Sequence, residues 1–364
     1  MNERIYKNEN PRKFSAAERQ SMRKRFSFGN FTNNNTTPQN SEPVFHSSEY
    51  RTRSPENLKS RNFVNEKGEM KALVKGGMRD SEPKICQDRA DSFYLDFGNT
   101  IGKLMFVCDG HGPDGEKIAK FLSDNIVKDF FLMLQRPKTK MIKMSEALKE
   151  FVIELDQKVE NHFKSDERIT YYSGSTLTLV FLCEDRGYCA WVGDSKAIIV
   201  NDSGRELTYK NLTRNHNPYN PEEYKRITDA GGLICSAKYD DETTSGPLRI
   251  WFPPENQNNP GKLTGPGLNI TRSIGDRFAR KIGFTQVPSV VRFDLDEDSS
   301  FVVLGSDGLW DFLRKSEVVN IVDRFSRSND AESATKALYE RAEHMWRVNS
   351  RRHRDDISIV VAYI

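Results

Sequence analysis

The rhythm of apolar positions along this chain changes near residue 70. Beyond it, short runs rich in β-branched and aromatic side chains alternate with stretches whose apolar positions recur every three or four residues. The runs at 92–95, 104–108, 176–183, 187–192, 197–201, 301–304 and 357–363 read as strands. Ile118, Phe121, Leu122 and Ile126 share one face of a 3.6-residue period, and the same spacing runs through 144–163, 221–230 and 333–348, which read as helices. Strands before and between paired helices suggest packed layers of both kinds and not a regular βαβ winding. Trp191, Trp310 and Phe312 are expected in the core.

Residues 1–70 carry neither period. They include the tract Asn33-Asn34-Asn35 and scattered Ser, Thr, Pro and Arg, with too little apolar surface to offset the entropy of ordering. The expectation is a disordered basic tail at 1–70 ahead of one folded domain at 71–364. Charge follows this division: the first 70 residues hold 13 Lys and Arg against 8 Asp and Glu, leaving 42 against 44 for the rest. A slightly acidic domain disfavours a nucleic-acid partner. The triplet Arg23-Lys24-Arg25 reads as part of a solvated tail, with a nuclear signal or anionic docking patch as the alternative. No apolar run approaches the roughly 18 residues of a spanning helix, so membrane insertion is not expected. Five cysteines without a Cys-x-x-Cys pair argue against a disulfide framework or zinc cage and suit a reducing compartment, cytoplasmic or nuclear.

The acids fall in a telling pattern. Asp109, Asp194 and Asp307 each follow an apolar run, Asp88 stands just before one, and Asp355-Asp356 precedes the last. If these strands pack together, the carboxylates collect at one edge of the core, where they repel unless cations neutralise them. Oxygen donors without local His or Cys partners favour Mg²⁺ or Mn²⁺ over zinc. Two such ions form a hydrolytic site for phosphate esters. Any single Asp-Gly here reads as a turn, because Gly supplies a positive φ. Cys86 and Cys108 lie close to Asp88 and Asp109, so their oxidation is a possible route to a disturbed site; a buried, inert Cys108 is the alternative.

Taken in order, Cys-Asp-Gly-His-Gly (108–112), Ser-Gly-Ser-Thr (173–176), Val-Gly-Asp-Ser-Lys-Ala (192–197), Thr-Arg-Ser-Ile-Gly-Asp (271–276), Ser-Asp-Gly-Leu-Trp-Asp (306–311) and Arg-Asp-Asp-Ile-Ser (354–358) resemble the signatures of the metal-dependent type 2C protein phosphatases. The resemblance spans roughly residues 75–364. It implies an α+β fold, a four-layer α-β-β-α sandwich of two mainly antiparallel sheets flanked by helices. It further implies hydrolysis of phosphoserine and phosphothreonine in proteins by a metal-activated water; a pseudophosphatase serving as a binding or scaffolding module is the alternative. Asp109, the Gly110 carbonyl, Asp307 and Asp355 match ligands of two catalytic ions, and Asp88 matches the acid of the family's early acidic pair. Asp194 and Asp311 match holders of a weaker third ion, and His111 the general acid that protonates the leaving oxygen.

Two departures stand out. Gln87 occupies the place of the first acid of that early pair, and Asp356 the place of an Asn, a change that would restore one charge. Lys84 is the candidate for phosphate binding, a point charge and not a bidentate fork. The stretch 235–268 shows no clear period and matches the family's flap beside the active site. Phosphoprotein substrates and a monomeric chain complete the expectation.

Overall fold

A computed structural model describes residues 2–6, 63–64, 68–97, 100–238, 244–253, 264–350 and 352–364. Two large sheets form the middle of the molecule. One has the strand order Asn2–Tyr6, Glu206–Asn211, Lys196–Asp202, Ser299–Gly305, Ile357–Tyr363, Met70–Lys75. The other runs Ile274–Gly275, Gly174–Ser175, Ile101–His111, Leu177–Cys183, Arg186–Val192, Ser289–Asp294, with Asp88–Asp96 also paired to Ile101–His111. Pairing within both sheets is antiparallel.

Three apolar cores stack across this arrangement and produce four layers. Leu104, Phe106, Leu179 and Phe181 meet Ile118, Leu122, Phe151 and Leu155 of the helices Gly115–Gln135 and Met144–His162. The alternate residues Met105, Val107, Val180 and Trp191 turn inward to Ile199, Val302, Leu304 and Val360 of the facing sheet. On the far side, Ile198, Val303, Ile359 and Tyr363 pack under the helices Lys315–Asp323 and Ala331–Asn349. Because both faces of each sheet are covered, central strands such as Leu177–Cys183 are buried at every residue. They therefore read as unbroken apolar runs and not as an alternating pattern. Two helix starts are locally encoded: the Asn220 side chain accepts from Glu222 N ahead of Pro221, and that of Asp330 from Ser333 N.

Several elements differ from the sequence reading. The stretch expected to be irregular is an antiparallel meander of Leu233–Lys238, Thr244–Phe252 and Thr264–Leu268. Its pairings shift register between Ser236 and Ala237 and between Ile250 and Phe252, and those shifts erase the period of two. Met70–Lys75 and Ser289–Asp294 were not expected as strands; their residues are mostly half-buried at sheet margins, so polar side chains interrupt them. Asn2–Tyr6 pairs with the edge strand Glu206–Asn211, so the tail expectation does not hold for those five residues. The triplet 23–25 lies outside the described residues. Among the described residues no helix is long and apolar enough to cross a membrane.

Candidate active site

The antiparallel register sets Asp88 directly opposite Asp109 in neighbouring strands. Asp194 lies in the turn between Arg186–Val192 and Lys196–Asp202, where the chain passes from one sheet to the other. Asp307 opens a short helix after Ser299–Gly305, and Asp355 precedes Ile357–Tyr363, that strand's antiparallel neighbour. Acids from both sheets thus meet at one edge of the sandwich.

Their electrostatics confirm the proximity. Desolvation pushes the Asp109 and Asp307 carboxyls well above the usual carboxylate range; the charges of Asp88, Asp307, Asp355 and Asp194 add to the rise at Asp109, and those of Asp194, Asp355, Asp311 and Asp88 at Asp307. Asp88, 1% exposed, rises to about 7, chiefly through burial and then through Asp356 and Asp355. Asp194 and Asp311 also rise through desolvation, against the opposing pull of Lys196. The donors are oxygen throughout, and their mutual repulsion calls for positive charge; both properties fit hard divalent cations. Among the described residues no three His, Cys, Asp or Glu side chains already close around a point that could hold an ion. The fit lies in donor chemistry and charge.

Hydrogen bonds hold these acids in place. Ser306 Oγ donates to Asp88 Oδ2 at 2.7 Å and accepts from Ser358 N at 3.0 Å. Thr176 Oγ1 accepts from Asp109 N at 3.0 Å while Thr176 N donates to Asp109 O at 2.9 Å. At Gly110, whose carbonyl is the expected backbone ligand, a Cβ would lie 2.5 Å from Gly115 O and 2.7 Å from Gln87 O, so a side chain would push the ends of two elements apart.

The two departures have definite partners in the structure. Asp356 accepts from Gly77 N at 2.6 Å and Gln87 N at 2.8 Å, and Lys84 Nζ stands 3.4 Å from its Oδ2. It braces the incoming chain, and its charge also reaches Asp88, whose pKa it helps to raise. Gln87 Nε2 donates to Gly112 O at 2.9 Å and reaches Glu116 Oε2 at 3.4 Å, tying the turn after His111. Lys84 Nζ lies 2.5 Å from Asp355 Oδ1; burial pulls its pKa down, but the two aspartates outweigh it and raise it. This lysine is engaged with a carboxylate, while Arg89 donates to the carbonyls of Cys86 and Asp88. Burial pushes the Cys86 thiol up to about 11 and Cys108 further still, which disfavours the thiolate that oxidation by peroxide needs.

His111 ends its strand with Nε2 2.5 Å from Asp276 Oδ2. Burial lowers the imidazole pKa, but the charge and hydrogen bond of Asp276 outweigh it, and the net shift is upward. Asp276 closes the motif 271–276, yet the sequence reading gave it no role. Its signal was present as one more acid directly after a glycine. Ser273 Oγ also donates to Asp276 Oδ2, at 2.5 Å.

Comparison with known proteins bears on the family and the fold. The family model described as protein phosphatase 2C matches residues 93–350. Probable protein phosphatase 2C 73 of Arabidopsis thaliana is 28% identical over 330 residues, covering 84% of this chain and 83% of the relative. Probable protein phosphatase 2C 41 of the same plant is 31% identical over 271 residues, covering 70% and 71%. In fold, a serine-threonine phosphatase 2C from Toxoplasma gondii superposes with a TM-score of 0.60 at 18% identity, covering 81% of this chain and 94% of that one.

Proposed function

The chain belongs to the protein phosphatase 2C family and is a metal-dependent protein-serine/threonine phosphatase; on that premise we propose that Asp109, the Gly110 carbonyl, Asp307 and Asp355 hold two catalytic Mg²⁺ or Mn²⁺ ions beside Asp88. Asp194 and Asp311 hold a weaker third. The observation that carries this reading is the gathering of Asp88, Asp109, Asp194 and Asp307 at one sheet edge, each raised first by burial and then by neighbouring acids, against the opposing charges of Lys196 and His111 at Asp194 and of Lys84 at Asp355. The arrangement is costly unless cations enter.

When bound, the ions neutralise the acids, orient the phosphoryl oxygens and activate the attacking water. The remaining work falls to the chain. His111 gives its proton to the departing seryl or threonyl oxygen as the bond from that oxygen to phosphorus breaks, so the products are the free hydroxyl and inorganic phosphate. Lys84 balances charge at Asp355, and contact with a substrate phosphate requires its release from that carboxylate. The meander 233–268 shapes the choice of protein substrate. Free thiols at Cys86, Cys108, Cys183, Cys189 and Cys235 support a reducing cytoplasmic or nuclear setting. Retention of the acids and His111 counts against a pure scaffold.

The test is hydrolysis of a phosphothreonine peptide by the full chain with EDTA, then after readdition of each metal. Activity should vanish with the chelator and return with Mg²⁺ or Mn²⁺. Activity that survives chelation, or fails to return with either ion, would overturn the assignment.

A further inference from the structure

The most unusual backbone near the site belongs to Asp276. It adopts φ 47 and ψ 41, in the left-handed region, although it is not glycine. Such a conformation costs roughly 1–3 kcal/mol and persists only where the surroundings over-determine it. Here they do. Asp276 N donates to Ser173 O at 2.9 Å, and Gly275 N donates to Asp156 Oδ1 at 3.0 Å. Arg280 Nη2 in turn donates to both Asp156 oxygens at 2.7 and 2.8 Å and to Gly275 O at 3.2 Å. The helix Met144–His162, which carries Asp156, thereby clamps the turn that delivers Asp276.

What the strained turn delivers is one buried carboxylate. Asp276 is 1% exposed, its Oδ2 faces His111 Nε2 and Ser273 Oγ, and its Oδ1 is buried without a hydrogen-bond partner. An acid serving only to tie loops together would be expected to use both oxygens on backbone N–H groups, as Asp356 does. Space has also been cleared for the pair. Gly174 lies across from both His111 and Gly275 in register, and a Cβ there would sit 2.2 Å from Asp276 Oδ2 and 2.8 Å from His111 Nε2.

We propose that Asp276 is a positioning residue for His111: it accepts the Nε2 hydrogen and fixes the ring and its tautomer, which the Asp109 backbone also holds. A carboxylate that holds one ring nitrogen is a general means of orienting a catalytic imidazole. Ser273 steadies the carboxylate through its second hydrogen bond to Oδ2. The role deepens the general-acid reading of His111 and rests on it.

The experiment compares two substrates whose leaving groups differ in their need for a proton. A phosphothreonine peptide loses an alkoxide-like oxygen, whereas p-nitrophenyl phosphate loses a stabilised phenolate. Wild type, Asp276→Asn, His111→Gln, the double variant and Ser273→Ala are assayed with saturating metal, with thermal midpoints recorded for each. Asp276→Asn should lower kcat on the peptide by about 10- to 100-fold, the range for outer-sphere partners of functional groups. On p-nitrophenyl phosphate it should fall less than about threefold, and KM should hold on both. The double variant should be no slower than His111→Gln alone. Ser273→Ala should show the same discrimination in weaker form, and it carries the test if Asp276→Asn does not fold. In the metal-free chain, ¹⁵N NMR should find the His111 proton on Nε2 in wild type and shared between tautomers in Asp276→Asn. Equal losses on both substrates, or multiplicative losses in the double variant, would overturn the positioning role. If His111→Gln itself failed to discriminate, the general-acid reading beneath it would fall instead.

Discussion

Two groups of buried carboxylates in this molecule have opposite fates. Glu223, fully buried, accepts from Arg226 Nη1 and Nη2 at 2.8 and 2.9 Å, from Arg272 Nη2 at 2.5 Å and from Thr271 Oγ1 at 2.6 Å. Burial alone would raise its pKa, but these donors pull it well below the usual carboxylate range. Asp109 and Asp307, partly exposed at the sheet edge yet still raised first by desolvation, face other acids and are driven the opposite way. Burial therefore does not distinguish a structural acid from a functional one. The distinction is whether the protein supplies the countercharge or leaves it to a ligand.

The comparison breaks most visibly at the functional group. Asp307→Asn or Asp109→Asn should lower turnover on a phosphothreonine peptide about 10³-fold or more, in line with the several kcal/mol of charge stabilisation a metal supplies. The same substitutions should not lower the thermal midpoint of the metal-free chain, because they relieve repulsion. A clear drop in that midpoint would show these acids to be structural after all.

At Glu223 the consequences reverse. Glu223→Gln leaves Arg226 and Arg272 without their anion and should cost about 3–5 kcal/mol of stability in urea unfolding, the typical penalty for breaking a buried pair. Whatever fraction remains folded should keep its metal dependence. Full stability in this variant would contradict the contrast.

Asp194 lies between the extremes, raised first by desolvation and then by Asp311, with Lys196 and His111 opposing that rise. Asp194→Asn should reduce turnover about tenfold, a loss on the scale of one outer-sphere partner. It should also shift activation to higher metal concentration without removing the tightly held ions. Loss of tight binding in this variant would move Asp194 into the catalytic pair.

Much of this site was legible from the sequence because its acids end or flank apolar runs, and a strand's end is visible as a change of polarity. Asp88, Asp109, Asp307 and Asp355 were found that way. The roles of Asp356 and Lys84 were not, since each depends on partners brought together from opposite ends of the domain: Gly77 and Asp356 are 279 positions apart, and Lys84 and Asp355 271. Asp276 escaped because its significance lies in a left-handed backbone and a contact with His111 165 positions away, neither of which leaves a local period. In the fold, fully covered strands announced themselves, while the bulged meander beside Gly267 and Pro247 did not.

A further effect is one of pH. His216 is 2% exposed, stacks on Trp191, and has its pKa lowered from 6.5 to about 3, first by burial and then by Arg272. Between those values the unfolded chain binds a proton that the folded chain does not. Stability contributed by the neutral ring is thus complete above pH 6.5 and falls as pH drops toward 3, by about 1.4 kcal/mol per unit. His216→Gln should flatten this part of the stability profile between pH 6 and 4, a window read by urea unfolding at each pH. An unchanged slope would assign the acid sensitivity to other groups.

Calorimetric titration of the metal-stripped chain with Mg²⁺ and Mn²⁺, beside Asp109→Asn at the same concentrations, bears most directly on the unneutralised acids as the cation site. Wild type should take up two ions tightly, and Asp109→Asn should lose that binding while remaining folded. Tight binding that persists in Asp109→Asn, or is absent from wild type with both ions, would contradict the account.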